Sequence, residues 1–191
     1  MNLCFATNNA NKLKEIQELV NTEYAILSLA DIGCTDELSE TRDTIEGNSA
    51  QKAEYIWEHF KTNCFADDTG LEVTALNGEP GVYSARYAGP ACLAEDNINL
   101  LLNKLQGVKD RRAAFRTCIT LIINGEQKQF EGKVEGEILA ERHGAKGFGY
   151  DPIFKPTGSN KSFAEMTMEE KNSISHRALA VKALISYLNS L

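Results

Sequence analysis

The run Ala113–Ile123, AAFRTCITLII, is followed by Asn124-Gly125 and a second segment through Phe130 and Val134 towards Leu139. Branched and aromatic side chains dominate the first segment, as in a strand with a buried face. Asn-Gly supplies the two positive-φ residues of a type I′ turn, whose twist matches that of paired strands. The chain therefore contains an antiparallel hairpin, and whatever surrounds it must cover a sheet. Apolar residues at helical spacing supply that cover. Leu13, Ile16, Leu19 and Val20 follow a short strand at Asn2–Ala6, with Asn8 or Asn9 placed to cap their helix. Tyr24–Leu29 reads as a second strand, and an acidic, loop-like stretch runs on to Thr44. Ile45, Ala53, Ile56, Trp57 and Phe60 share one broad helix face. Asn63–Ala66 reads as a buried strand ending in two aspartates, and Asn77–Gly81 as a turn. A helix over Leu93–Leu105 presents Ile98, Leu101, Leu102 and Leu105. Residues 144–160 are rich in glycine and proline and form an irregular loop; a last helix carries Ile174, Ala178, Val181, Leu184, Ile185 and Leu188. Strands and helices mix throughout, which predicts an α/β fold with a mixed sheet and flanking helices.

A chain of 191 residues fits one domain, and 42% hydrophobic with 25% charged residues is the balance of a globular protein. No apolar run is long enough to span a bilayer, and the first residues lack the basic and apolar regions of a secretory signal. The five cysteines include no C-x-x-C pair, so neither a disulfide framework nor a zinc knuckle is expected, and a reducing cytoplasm fits. A net charge of −7 argues against nucleic acid as a partner, while leaving room for a small anion where cations converge. Carboxylates crowd residues 31–46 and bases crowd 142–177, a division that suits a metal–phosphate site once folded.

Several segments carry chemistry. ATNNANK, residues 6–12, lies where a strand meets a helix, and helix-start N–H groups with Lys12 favour an anion. FADDTG, residues 65–70, sets Asp67 and Asp68 on adjacent strand positions, so that one carboxylate faces a ligand and the other braces the turn. Mg²⁺ takes one or two carboxylates together with phosphate oxygens and water. Glu40 is the leading second carboxylate, ahead of Glu72. In GFGYDPIF, residues 147–154, Phe148 and Tyr150 are available to stack on a flat ring and Asp151 to accept ring N–H groups. EEKNSISHRA, residues 169–178, adds Lys171, His176 and Arg177 near a helix start, with Ser173 or Ser175 as its cap. In VYSARYAG, Ser84 and Arg86 read as part of a lid or wall.

In this order and over nearly the whole chain, these segments resemble the inosine triphosphate pyrophosphatase family, the enzymes of non-standard purine nucleoside triphosphates. The resemblance rests on Thr7, Asn9 and Lys12, on FADDTG, on PGVYSARYAG at 80–89, on GFGYDPIF and on EEK with SHRA. It implies an elongated, two-lobed α/β fold with a central nucleotide cleft, a homodimer, and Mg²⁺-dependent hydrolysis of ITP, dITP or XTP to the monophosphate and pyrophosphate. It further implies that Thr7, Asn8, Asn9, Ala10, Asn11 and Lys12 bind the triphosphate and that Thr69 contacts substrate. Phe148, Gly149, Tyr150, Asp151, Lys171, His176 and Arg177 would surround the base, with Arg177 donating to a 6-oxo group. Asp68 would be the general base or a metal carboxylate, with Glu40 as the second metal ligand and Glu37 as its alternative. Two positions depart from the family pattern. Asn8 stands where a glycine is usual, a change that asparagine's tolerance of positive φ would accommodate. Ser39-Glu40-Thr41-Arg42 stands where many members read E-E-T-G. A pyrophosphatase of the septum-inhibitor type and a catalytically silent nucleotide-binding protein are the rival readings.

Overall fold

The computed structural model describes residues 2–20 and 24–191. Strands β1 (Asn2–Phe5), β2 (Ala25–Leu27), β3 (Cys64–Val73), β4 (Pro80–Gly81), β5 (Arg112–Ile123), β6 (Glu126–Ile138) and β7 (Phe154–Pro156) form one sheet. Its strand order is β2-β1-β3-β5-β6-β7, with β4 beside β3. Pairing of β1 with β2 and with β3 is parallel, and pairing of β3 with β4 and of β6 with β7 is antiparallel, so the sheet is mixed as expected. The helices are α1 (Ala10–Leu19), α2 (Ile45–Phe60), α3 (Ala94–Lys104), α4 (Met168–Ile174) and α5 (His176–Leu188). By internal contacts the chain divides into a first unit (residues 1–68, 117–132 and 177–191) and a second (69–116 and 133–176).

In the first unit the pleat sorts the core. Leu3, Phe5 and Phe65 lie with Ile16 of α1 and Val181 and Leu184 of α5. Cys4, Ala6, Cys64 and Ala66, the alternate positions of the same strands, lie with Ala53 and Ile56 of α2. Both faces of β1 and β3 are thus covered, which is why these strands read as continuous apolar runs rather than alternating ones. The Phe5 and Phe65 rings stack with centroids 4.7 Å apart.

In the second unit, Leu71 and Val73 of β3 pack with Ile98 and Leu101 of α3 and with Phe115, Ile138, Phe154 and Phe163. Here β6 must approach β7 closely. A Cβ at Gly136 would stand 2.3 Å from the Lys155 carbonyl oxygen, so glycine is needed there.

The predicted hairpin is present, with φ of 51° at Asn124 and 87° at Gly125. Two expectations are corrected. The aspartates do not end a strand, because β3 continues through D-D-T-G to Val73: its first part pairs with β1 and its last part with β4. The final helix is two helices. Ser175 is extended (φ −68°, ψ 153°) and separates α4 from α5. It is Thr167, in a reciprocal capping box with Glu170, that starts α4.

Candidate active site

The ATNNANK segment is organised by its own side chains. Asn9 caps α1, its Oδ1 accepting from the backbone N–H of Asn11 (3.0 Å) and of Lys12 (3.2 Å). Thr7 Oγ1 accepts from the Asn9 N–H at 3.2 Å. Capping places Ala10, Asn11 and Lys12 in the first turn, where a lysine opposes the helix dipole. An anion of the protein itself offsets that opposition: Lys12 Nζ meets Asp67 Oδ1 at 3.0 Å.

Asp67 is fully buried. Its other carboxylate oxygen accepts from Arg177 Nε at 3.1 Å, and Arg177 also pairs with Glu15, one helical turn beyond Lys12 on α1. From α2, Lys52 Nζ donates to the Asp67 carbonyl at 2.8 Å and pairs with Glu40. Burial alone would raise the Asp67 pKa, yet Lys12, Arg177 and Lys52 hold it far below the usual carboxylate range. Burial lowers Lys12 more than Asp67 raises it, which leaves that ammonium below its ordinary value. Burial would lower Lys52 too, but Glu40, Asp68 and Asp67 raise it above its ordinary value. Glu40, against the effect of its own burial, is held low by Lys52.

Asp68 belongs to the opposite face of β3. Its Oδ2 accepts from Asn48 Nδ2 at 3.2 Å, and Asn48 Oδ1 in turn accepts from the Arg42 N–H at 2.8 Å. Thr69 follows on the strand, half-buried, and Glu37 is exposed. Among the described residues no cluster of three or more histidine, cysteine or acidic side chains is arranged to hold a metal ion alone. A hard cation that takes one or two carboxylates and completes its shell with phosphate and water fits this donor set; a protein-caged metal does not.

In the second unit, Gly147 has φ of 75°, and a Cβ there would lie 2.1 Å from Asp151 Oδ2. That same oxygen accepts from the Phe148 N–H (2.9 Å) and from Lys171 Nζ (2.7 Å). Gly147 is therefore required for the loop to fold over its own aspartate. The Lys171 ammonium also stands 5.1 Å from the Phe148 ring centroid and 5.6 Å from that of Phe163. His176 stacks on Phe115 at 4.6 Å.

Several expected roles find different occupations. Tyr150 is buried in the core with its hydroxyl on the Ser84 carbonyl at 2.8 Å, so its ring is not presented for stacking. Ser84 itself accepts from the Leu71 N–H at 2.9 Å and is a brace rather than a lid. Glu72 pairs with Arg116 at 2.9 Å. Asn8 does not have the positive φ anticipated for it. Arg177, expected at a base carbonyl, is buried with Nε and a terminal nitrogen on Asp67 and Glu15. Sequence reading missed Glu15, Asn48 and Lys52. A cavity of about 380 Å³ in the second unit, lined by Glu72, Thr74, Arg112, Lys133, Glu135 and Thr157, involves none of the residues expected to bind substrate. Its cations already face carboxylates, Arg112 on Asp110 and Lys133 on Glu135.

Residues 3–187 match the model of the Ham1 family. A Flavobacterium johnsoniae protein named dITP/XTP pyrophosphatase is 53% identical, over 100% of this chain and 99% of its own. One of the same name from Christiangramia forsetii is 53% identical over 99% and 100%. Among solved structures, the Staphylococcus aureus Ham1 protein superposes with a TM-score of 0.91 at 39% identity, covering 100% of this chain and 99% of that one. Matched along its whole length in sequence and in fold, the chain belongs to the Ham1 family.

Proposed function

We propose that this protein hydrolyses non-standard purine nucleoside triphosphates, ITP, dITP and XTP, to the nucleoside monophosphate and pyrophosphate, with Mg²⁺. The observation that carries the reading is the convergence of Lys12 and Lys52 on Asp67, with Asp68 next to it on β3. Buried cations beside paired carboxylates, at the start of a capped helix, make a place for a polyanion and its metal. Relatives matching the whole chain bear the name dITP/XTP pyrophosphatase, which supports the substrate class.

In this mechanism the positive end of the α1 dipole, with Lys12, binds the triphosphate and stabilises charge on the departing pyrophosphate. Asp68 and Glu40 would hold the Mg²⁺, which supplies neutralisation of phosphate charge. Asp68 orients the attacking water and takes its proton. Asp67, ionised throughout, keeps Lys12 in place rather than titrating itself. Thr69 contacts the phosphate next to Asp68. In the second unit Phe148 offers a ring face to the purine, and Lys171, fixed by Asp151, donates to a 6-oxo group. Adenine presents a 6-amino group to the same donor, and one such unsatisfied pair is worth about 1–3 kcal/mol, or about 5- to 150-fold in rate. The reading carries a homodimer with it, which light scattering checks.

The test is pyrophosphate release from ITP, XTP, dITP, GTP, ATP and dTTP, with Mg²⁺ and with chelator. ITP, dITP and XTP are expected to exceed ATP in kcat/KM by about 5- to 150-fold and to be preferred over dTTP, and chelator is expected to stop turnover. Release of orthophosphate instead, or a preference for dTTP, overturns the reading.

A further inference from the structure

Asn8 is exposed and its backbone is outside the left-handed region, so neither core packing nor local conformation explains an asparagine. Its side-chain amide makes two bonds across the chain. Oδ1 accepts from the Leu38 N–H at 3.2 Å, and Nδ2 donates to the Asp36 carbonyl at 3.3 Å. One side chain thereby clasps the acidic segment from the side of the phosphate loop. The other ties of that segment come from α2. Tyr55 donates to the Asp36 carboxylate at 2.7 Å, Gln51 bonds Thr41 through both ends of its amide, and Asn48 accepts from the Arg42 N–H. Between the Asn8 clasp and the α2 ties lie Ser39 and Glu40, whose carboxylate meets Lys52. The segment has no helix or strand of its own over residues 35–43, so these side-chain bonds, together with the burial of Leu38 in the cluster of Ala53 and Ile56, set where Glu40 sits.

We infer that Asn8 is a positioning residue: it pins the segment bearing Glu40 to the loop that receives the triphosphate, and so sets the metal affinity of Glu40. The inference rests on the reading of Glu40 as a metal ligand. It assigns Asn8 a task apart from phosphate binding, one that needs both an acceptor and a donor on a short side chain. Glycine has neither, and aspartate keeps only the acceptor for Leu38.

The test uses the full chain and its Asn8→Gly, Asn8→Asp, Glu40→Gln and Asn8→Gly/Glu40→Gln variants. Mn²⁺ binding to the nucleotide-free protein is read by electron paramagnetic resonance, and exchange of the Leu38 amide by hydrogen–deuterium exchange. Asn8→Gly is expected to speed exchange at Leu38 and to weaken Mn²⁺ binding by about three- to tenfold, the worth of about one neutral hydrogen bond. Asn8→Asp falls between it and the parent. The metal concentration for half-maximal rate rises in step, and by a larger factor than KM for ITP. In the double variant Mn²⁺ affinity falls no further than in Glu40→Gln alone, because the clasp acts through that carboxylate. Unchanged Mn²⁺ affinity in Asn8→Gly, beside a clear loss in Glu40→Gln, overturns the role of Asn8 and leaves Glu40 standing. Independent, additive losses also overturn it. Unchanged affinity in Glu40→Gln overturns the reading of Glu40 itself.

Discussion

Replacing Asp67 by asparagine removes one negative charge and almost no volume. In the parent that charge faces Lys12 at 3.0 Å and Arg177 at 3.1 Å, with no exposure to water. Asparagine still offers an oxygen to one of them but leaves both cations buried without their shared counter-ion. Breaking a buried pair by removing one partner costs about 3–5 kcal/mol, a large part of the roughly 5–15 kcal/mol that holds a domain folded. For a chain of this length each kcal/mol moves Tm by about 2–4 °C, so a fall of about 6–20 °C is expected. The pH dependence has a definite sign. The folded-state carboxyl lies well below its ordinary value of 3.8, so its contribution is complete above that value and is lost as pH falls through the folded one. The gap between parent and variant should therefore stay constant from pH 7 to pH 5 and close only below about pH 4. The assay is urea unfolding at several pH values and one fixed protein concentration, since association would otherwise shift the midpoints. A variant within about 1 kcal/mol of the parent at pH 7, or a gap that already closes between pH 7 and 5, would refute the account of Asp67 as a permanently ionised keystone.

Four further outcomes follow from the same geometry. Asp68→Asn should fold normally and lose about 10²–10⁴-fold in kcat with a smaller change in KM, measured by pyrophosphate release at saturating ITP; near-parental kcat removes Asp68 from the chemistry. Glu40→Gln should raise the metal concentration for half-maximal rate, and a titration that shifts in Glu37→Gln instead exchanges their roles. Arg177→Ala should destabilise by about 3–5 kcal/mol through Asp67 and Glu15; if the guanidinium also reaches the base, kcat/KM for ITP falls more than that for ATP, and an equal fall for both confines it to the network. Gly147→Ala should displace the Asp151 carboxylate from Lys171 and raise KM for ITP, with a near-parental KM refuting the close fit inferred there.

The fold was legible where local chemistry agrees with the tertiary structure. Asn124-Gly125, the apolar run before it and the cap at Asn9 each specify their element within a few residues. The strand through D-D-T-G was not legible, because the sequence resembles a turn; the sheet keeps it extended, with β1 paired up to Phe65, β4 paired from Leu71 and β5 as its neighbour in the strand order. The break between α4 and α5 was missed for the converse reason, although Ser175 was named as a cap: Ile174 and Ala178 keep helical spacing across it, and periodicity does not register one extended residue. For the site, Lys12, Glu40, Asp68 and Lys171 were visible as polar residues in distinctive segments. Lys52, Asn48 and Glu15 were not, since they sit inside helices and look like surface. A signal did exist in α2: Asn48 and Lys52 are four residues apart, on the face where Ile45 and Ile56 are buried, and interrupt the apolar stripe. A polar gap in a buried helix face marks side chains aimed at something charged.

Register and pleat together decide which helix each aspartate meets. Phe5 of β1 stands opposite Phe65 of β3, in parallel. Two residues further on, Asp67 is level with Thr7, where β1 has already ended and its chain is turning into α1. The carboxylate therefore appears beside the loop that caps α1, and Lys12 is within reach of it. Side chains two apart share a face, so Asp67 belongs with Phe65, on the face covered by α1 and α5, which supply Lys12, Glu15 and Arg177. Asp68 belongs with Ala66, on the face covered by α2, which supplies Asn48. A shift of one residue in the β1–β3 register would exchange these environments. It would put Asp67, the carboxylate paired with Lys12 and Arg177, on the α2 face, and turn Asp68 toward the face of α1 and α5. The two rows of core residues, Leu3-Phe5-Phe65 and Cys4-Ala6-Cys64-Ala66, differ in size and pack against different helices. That difference resists the slip, and by it the packing of the first unit sets Asp67 in the network of Lys12 and Arg177 and Asp68 beside Asn48 on the α2 face.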